Sequence, residues 1–142
     1  MIRLRIAVIV PDYPTVSSSA FQFVKTRIDK YNDHGMETKV FVPKRREIQK
    51  TISCIKTFNP DILAVHYPTA LLMDLVNKLG NIPRIVFVHG HDVLWSWEVS
   101  APNDLIRLRK QITLVPRQIL EKNKVRKFLE KSNKIVCGSE WL

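Results

Sequence analysis

Two short stretches of this 142-residue chain hold the side chains best suited to proton transfer or to hydrogen-bonding a hydroxyl: His66-Tyr67-Pro68 and His89-Gly90-His91-Asp92. Imidazole titrates near neutrality, so His66 or His89 can take a proton from a hydroxyl, return one, or only hold it. The competing reading of His66 is a hydrogen-bonded structural histidine. Gly90, between two histidines, lets backbone come close to a ligand. Two histidines and an aspartate so near one another also suit a metal, but a third ligand of defined spacing is missing, so no metal is expected. A third stretch, Pro11-Asp12-Tyr13-Pro14-Thr15-Val16-Ser17-Ser18-Ser19, ends in three hydroxyls where a helix would start. Ser17, Ser18 and Ser19 there can offer hydroxyls and backbone N–H groups to a phosphate or a sugar, or simply cap the helix. The loop holds no glycine, so a dinucleotide fingerprint is absent and a nicotinamide enzyme loses its main support. Trp95 and Trp97 could wall a site or belong to ordinary packing.

Charge marks a fourth region. The chain carries a formal charge of +10, yet residues 105–134 alone hold 10 basic and 2 acidic side chains. Arg107, Arg109, Lys110, Arg117, Lys122, Lys124, Arg126, Lys127, Lys131 and Lys134 surround Ile112, Leu114, Val115, Ile119 and Leu120. Such a local excess favours an anionic partner. A basic amphipathic helix pair can lie on an anionic bilayer, with Arg117, Lys122, Lys124, Arg126 and Lys127 toward it. Equally, the apolar side of such helices can pack on a sheet and leave a solvated basic face.

The elements that must position these residues follow from periodicity. Ile6–Val10 is a continuous β-branched run, as expected of a strand buried on both faces. Phe21, Val24, Ile28 and Tyr31 form one face of a helix stopping near Gly35. Strands are predicted at 39–42, 61–66, 85–88 and 134–137. Helices are predicted around Ile48, Ile52 and Ile55, around Leu72, Leu75, Val76 and Leu79, and around Val125, Phe128, Leu129 and Ser132, within a helical stretch 101–132 broken at Pro116. Five short strands alternating with helices call for an α/β fold, a Rossmann-like doubly wound parallel sheet with helices on both faces. Ligands of such sheets sit beyond the carboxyl ends of the strands, at 11–19, 43–46, 66–69, 89–98 and 138–140, where the histidine and serine stretches fall.

The basic-then-apolar start is followed by Pro11-Asp12-Tyr13-Pro14 rather than a cleavage site, so a first core strand and a cytoplasmic protein are expected. No apolar run approaches the roughly 20 residues of a membrane span. Cys54 and Cys137, without ligand spacing, read as buried thiols of a reducing compartment.

Taken together, the strands and their punctuation resemble the N-terminal, acceptor-side domain of a GT-B glycosyltransferase of the family 4 (group 1) type. The likeness rests on Ile6-Ala7-Val8-Ile9-Val10-Pro11 with Phe21-Gln22-Phe23-Val24-Lys25, and on His34-Gly35-Met36-Glu37-Thr38-Lys39-Val40. It continues through Pro60-Asp61-Ile62-Leu63-Ala64-Val65-His66-Tyr67, Val88-His89-Gly90-His91-Asp92 and Lys134-Ile135-Val136-Cys137-Gly138-Ser139. The resemblance implies sugar transfer from a nucleotide-sugar donor to an acceptor hydroxyl, usually with retention and without a catalytic metal or other cofactor. It implies that residues 1–142 are one half of a GT-B architecture whose C-terminal, nucleotide-binding domain is missing, so that the chain alone is inactive. By position, His89 would sit beside the transferred sugar and Asp92 would orient a neighbouring group, the two catalytic positions. Tyr13, Ser17, Ser18, Ser19, His66, Tyr67, Gly90 and His91 would contact substrate. The basic segment suits a lipid-linked or membrane-bound acceptor, with the protein peripheral on the inner face of the cell membrane.

The main alternative is a non-catalytic basic α/β module that binds nucleic acid through 105–134. It is disfavoured because no stacking aromatics are interleaved with the basic residues there. A receiver-like signalling domain lacks its acidic cluster, since Asp12 stands alone after the first strand. A sugar-nucleotide epimerase of similar fold stays open.

Overall fold

The computed structural model describes residues 3–14, 21–89 and 119–137. In chain order the elements are β1 (Arg5–Ile9), α1 (Gln22–Asp33), β2 (Glu37–Phe41), a 3-10 turn (Arg45–Glu47), α2 (Ile48–Phe58), β3 (Ile62–His66), α3 (Ala70–Lys78), β4 (Arg84–Val88), a helix over residues 119–130 (α4) and β5 (Lys134–Cys137). The five strands form one sheet in the order β2-β1-β3-β4-β5, and every neighbouring pair is parallel. β1 and β3 lie inside the sheet and are buried nearly throughout, which is why they read as continuous apolar runs. β2, at one edge, instead alternates exposed and half-buried residues before the buried Phe41.

Alternate strand residues face opposite layers. Ala7, Ile9, Leu63, Val65, Val86 and Val88 meet α2, α3 and α4 through Ile52, Ile55, Leu72, Leu75, Val125 and Phe128. Ile6, Val8, Ala64 and Phe87 meet α1 through Val24 and Ile28. The apolar stripe at Val125 and Phe128 is therefore spent on packing against the sheet, while Ile119 and Leu120 remain exposed.

Local chemistry sets the ends. α1 closes at Gly35, whose positive φ of 77° suits a residue without Cβ, and the amides of Gly35 and Met36 donate to the carbonyls of Asn32 and Tyr31. Asn59 ends α2 in the left-handed region, and the Thr69 hydroxyl accepts from the Leu72 amide to start α3. At the amino edge of the sheet, Asp61 Oδ2 accepts from the Arg5 amide at 2.7 Å while the Asp61 amide donates to the Arg5 carbonyl. Asn133 and Arg84 repeat this two-way clamp between β4 and β5.

Three expectations need correction. Cys54 and Cys137 are exposed, not buried. Cys54 lies off the face of α2 that buries Ile52 and Ile55, and Cys137 lies on the edge strand β5. The first helix does not begin at the serines: its N-cap position is Phe21, in the left-handed region with φ 59° and no side-chain cap. The second strand begins at Glu37, ahead of the expected Lys39, because its polar first residues pair with Arg5 and Ile6 at the sheet edge.

Candidate active site

The sheet reverses its order between β1 and β3, and in sheets of this kind ligands meet the carboxyl ends of the strands at such a reversal. His66 is the last residue of β3 and His89 follows the last residue of β4, so parallel pairing sets them on this edge. His66 Nδ1 and His89 Nε2 lie 3.4 Å apart. Tyr67 leaves the strand in the left-handed region, with φ 52°, and its ring stacks on His89 at 4.2 Å and 18°. His66 stacks on Phe87 at 4.3 Å and 3°. Phe23, from the first turn of α1, closes on His89 at 5.0 Å, and Phe21 meets Tyr67 edge-on at 5.0 Å. His89 is thus held among His66 and Tyr67, at the end of β3, and Phe23 of α1.

His66 is 1% exposed. Burial, then the Arg27 guanidinium, then His89 push its pKa from 6.5 down to about 3. At neutral pH it is an uncharged ring with one N–H. Neutral His66 can give one hydrogen bond through that N–H or accept one at the other nitrogen. His89, directly after β4, is only half-buried.

Arg27 was not legible as a site residue, because it sits one position before Ile28 within the apolar stripe of α1. Its Cζ lies 4.4 Å from the Phe87 ring centroid, a cation–π arrangement, and its Nη1 is buried without a hydrogen-bond acceptor among the described residues. Its field is the second cause of the lowered His66 pKa. Arg27→Met is therefore expected to raise the His66 midpoint. Burial, the larger cause, should still hold it below 6.5, as an imidazole NMR titration would read. An unchanged midpoint would remove Arg27 from the site's electrostatics. Phe21 and Phe23 were also read only as helix residues; the signal was their position at the amino end of α1, which faces the ligand edge.

The other expected residues divide. Tyr13, after β1, packs against the layer under α1; burial, then Asp29, pushes its hydroxyl pKa up. Ser17, Ser18, Ser19, Gly90, His91, Asp92 and Arg117 lie outside the described residues, as do Trp95 and Trp97. Among the described residues no group of three His, Cys, Asp or Glu is placed to hold a metal ion. Lys122 and Lys124 of α4 line a cavity of about 390 Å³ with Pro68, Thr69 and Met73, beginning directly after Tyr67. Lys124 and Lys127 continue it along α3 with Asp74 and Asn77, whereas Arg126 turns to Glu130, 2.9 Å away. No helix among the described residues is long and apolar enough to cross a membrane.

Comparison with known proteins agrees with this architecture. No curated protein matches the sequence. Among solved structures, a type II dehydroquinase from Butyrivibrio crossotus DSM 2876 is similar with a TM-score of 0.53. It shares 11% identity over 96% of this chain and 88% of its own, which is a likeness of fold alone. The family described as Glycosyltransferase Family 4 matches residues 4–142. Since that match covers all but the first three residues of the chain, and the described strands form a Rossmann-like parallel sheet, the chain belongs to glycosyltransferase family 4 and is a domain of the GT-B type.

Proposed function

We propose that this chain is the acceptor-binding half of a glycosyltransferase that moves a sugar from a nucleotide-sugar donor to an acceptor hydroxyl. The observation that carries the reading is the convergence of His66, Tyr67 and His89 at the carboxyl edge beside the switch point. In it the Tyr67 and Phe23 rings form an apolar wall for a sugar face, and His89 hydrogen-bonds the reacting hydroxyl or takes its proton. Asp92 orients a neighbouring group, and Tyr13, Ser17, Ser18, Ser19, Gly90 and His91 complete the contacts. Transfer proceeds with retention and without a catalytic metal, the nucleotide being held by a second domain. The chain by itself transfers no sugar.

The test has two arms. Incubated with nucleotide sugars and simple glycosides, the 142-residue chain should release no nucleotide above background. In an enzyme that pairs it with a nucleotide-binding domain, His89→Ala should lower transfer by roughly 10²–10⁴-fold, the usual share of a general acid–base group. His34→Ala, on an exposed helix end, should change nothing. Equal loss in both variants, or none in His89→Ala, would overturn the assignment.

The acceptor in this reading is lipid-linked, and the protein is cytoplasmic, resting on the inner face of the membrane. Exposed Ile119 and Leu120, at the described start of α4, together with Lys122, Lys124 and Lys127, support it. Co-sedimentation with vesicles containing anionic lipid should exceed that with neutral vesicles and fall as salt rises. Equal, negligible binding to both would remove the membrane part of the proposal.

A further inference from the structure

We propose that His66 is a positioning residue: it shares a single proton with His89 between their facing nitrogens, which locks the two imidazoles into the same tautomer. The inference deepens the reading of His89 as the group beside the reacting hydroxyl, and it rests on that reading.

The geometry leaves two arrangements. With the proton on His66 Nδ1, that N–H donates to the lone pair of His89 Nε2, and a neutral His89 must then carry its own proton on Nδ1. With the proton on His89 Nε2, that N–H donates to the lone pair of His66 Nδ1, and a neutral His66 must carry its proton on Nε2. Both rings are Nδ1–H in the first case and both are Nε2–H in the second. Mixed pairs would set two N–H groups or two lone pairs against each other across 3.4 Å.

The surroundings hold the rings in this relation. His66 lies flat on Phe87, so rotation about its side chain would break a stacked contact in a buried place. His89 is covered by Tyr67 and flanked by Phe23. Burial first, and then the Arg27 guanidinium from α1, oppose a second proton on His66 and keep it a one-proton partner. The titratable groups facing His89 from β3 and the turn after it are His66 and Tyr67.

The consequence concerns the far nitrogen of His89. In the shared Nδ1–H state it presents a donor; in the shared Nε2–H state it presents a lone pair able to accept a hydroxyl proton. A His89 that gains a proton at Nδ1 requires His66 to be in the Nε2–H form. His66 thus sets which role His89 can play without touching the substrate itself.

Long-range ¹H–¹⁵N imidazole spectra of the 142-residue chain test this directly, with His34 and His91 assigned through His34→Gln and His91→Gln. The expected result is one tautomer common to His66 and His89, read against the Nδ1–H form at His34, whose Nδ1 donates to the Lys30 carbonyl. In His66→Phe, which keeps a ring on Phe87 but removes the nitrogen, the Nε2 signal of His89 and its tautomer balance should differ from those of the parent chain. In His66→Asn, whose amide takes the place of Nδ1, the single form should return. Opposite tautomers in the parent chain, or a His89 spectrum unaltered by His66→Phe, would overturn the proposal. Should His66→Phe not fold, the parent spectrum alone decides. Glycosides that leave His89 unshifted would count against the sugar site while leaving the lock intact, so the two failures are distinguishable.

Discussion

On acidification from pH 6.5 toward 3, His66 alone should cost the native state about 1.4 kcal/mol of stability per pH unit. Above 6.5 neither state protonates the ring, and its contribution is fully present. Within the window the unfolded chain binds a proton that the folded chain refuses, so stability falls as pH falls. Near 3 the folded state begins to accept the proton, and the slope flattens. Other groups titrate in the same range, which is why the difference between the parent and His66→Phe carries the information. Urea unfolding at several pH values should show the variant less acid-sensitive by this slope. A difference that stays flat with pH would mean that His66 is not held neutral by its surroundings.

The second large effect is in the core. Leu75 of α3 is fully buried in the layer that joins α2, α3 and α4 to the sheet. Leu75→Ala removes its contacts and leaves a cavity that the neighbouring strands can fill only in part, a cost of about 3 kcal/mol. For a chain of this size that lowers the melting temperature by roughly 10 °C. Leu120→Ala, at a side chain 63% exposed, should stay within about 0.5 kcal/mol of the parent. Thermal unfolding of the two variants checks the contrast. Equal effects would contradict the placement of the layers.

Most of this layering was legible because β-branched runs and helical stripes are direct imprints of burial. Ile6–Val10, the stripe at Ile52 and Ile55, and the close at Asn59 could be read almost residue by residue. β2 was read two residues late because a half-exposed edge strand carries polar residues and so lacks the signal. The thiols were misread because Cys54 stands between Ile52 and Ile55 in sequence, while a helix places it off their face. In the site, His66 and His89 were found from their position at strand ends. Arg27 and Phe23 were not, because pairing a helix residue with a strand end far along the chain depends on tertiary packing that no local pattern encodes. The stacking of Tyr67 on His89 likewise depends on a left-handed backbone at a tyrosine, which sequence does not announce.

The central claim is that ligand meets this domain at the carboxyl edge of β3 and β4. Its most direct test is a ¹H–¹⁵N shift map of the 142-residue chain titrated with simple methyl glycosides, each alone and with a nucleotide sugar. Saturable shifts should gather at Tyr67, His89 and Phe23 and leave the amino-edge clamps at Asp61 and Asn133 still. Shifts confined to those clamps, or no saturable shift at the rim with any of the sugars, would contradict it.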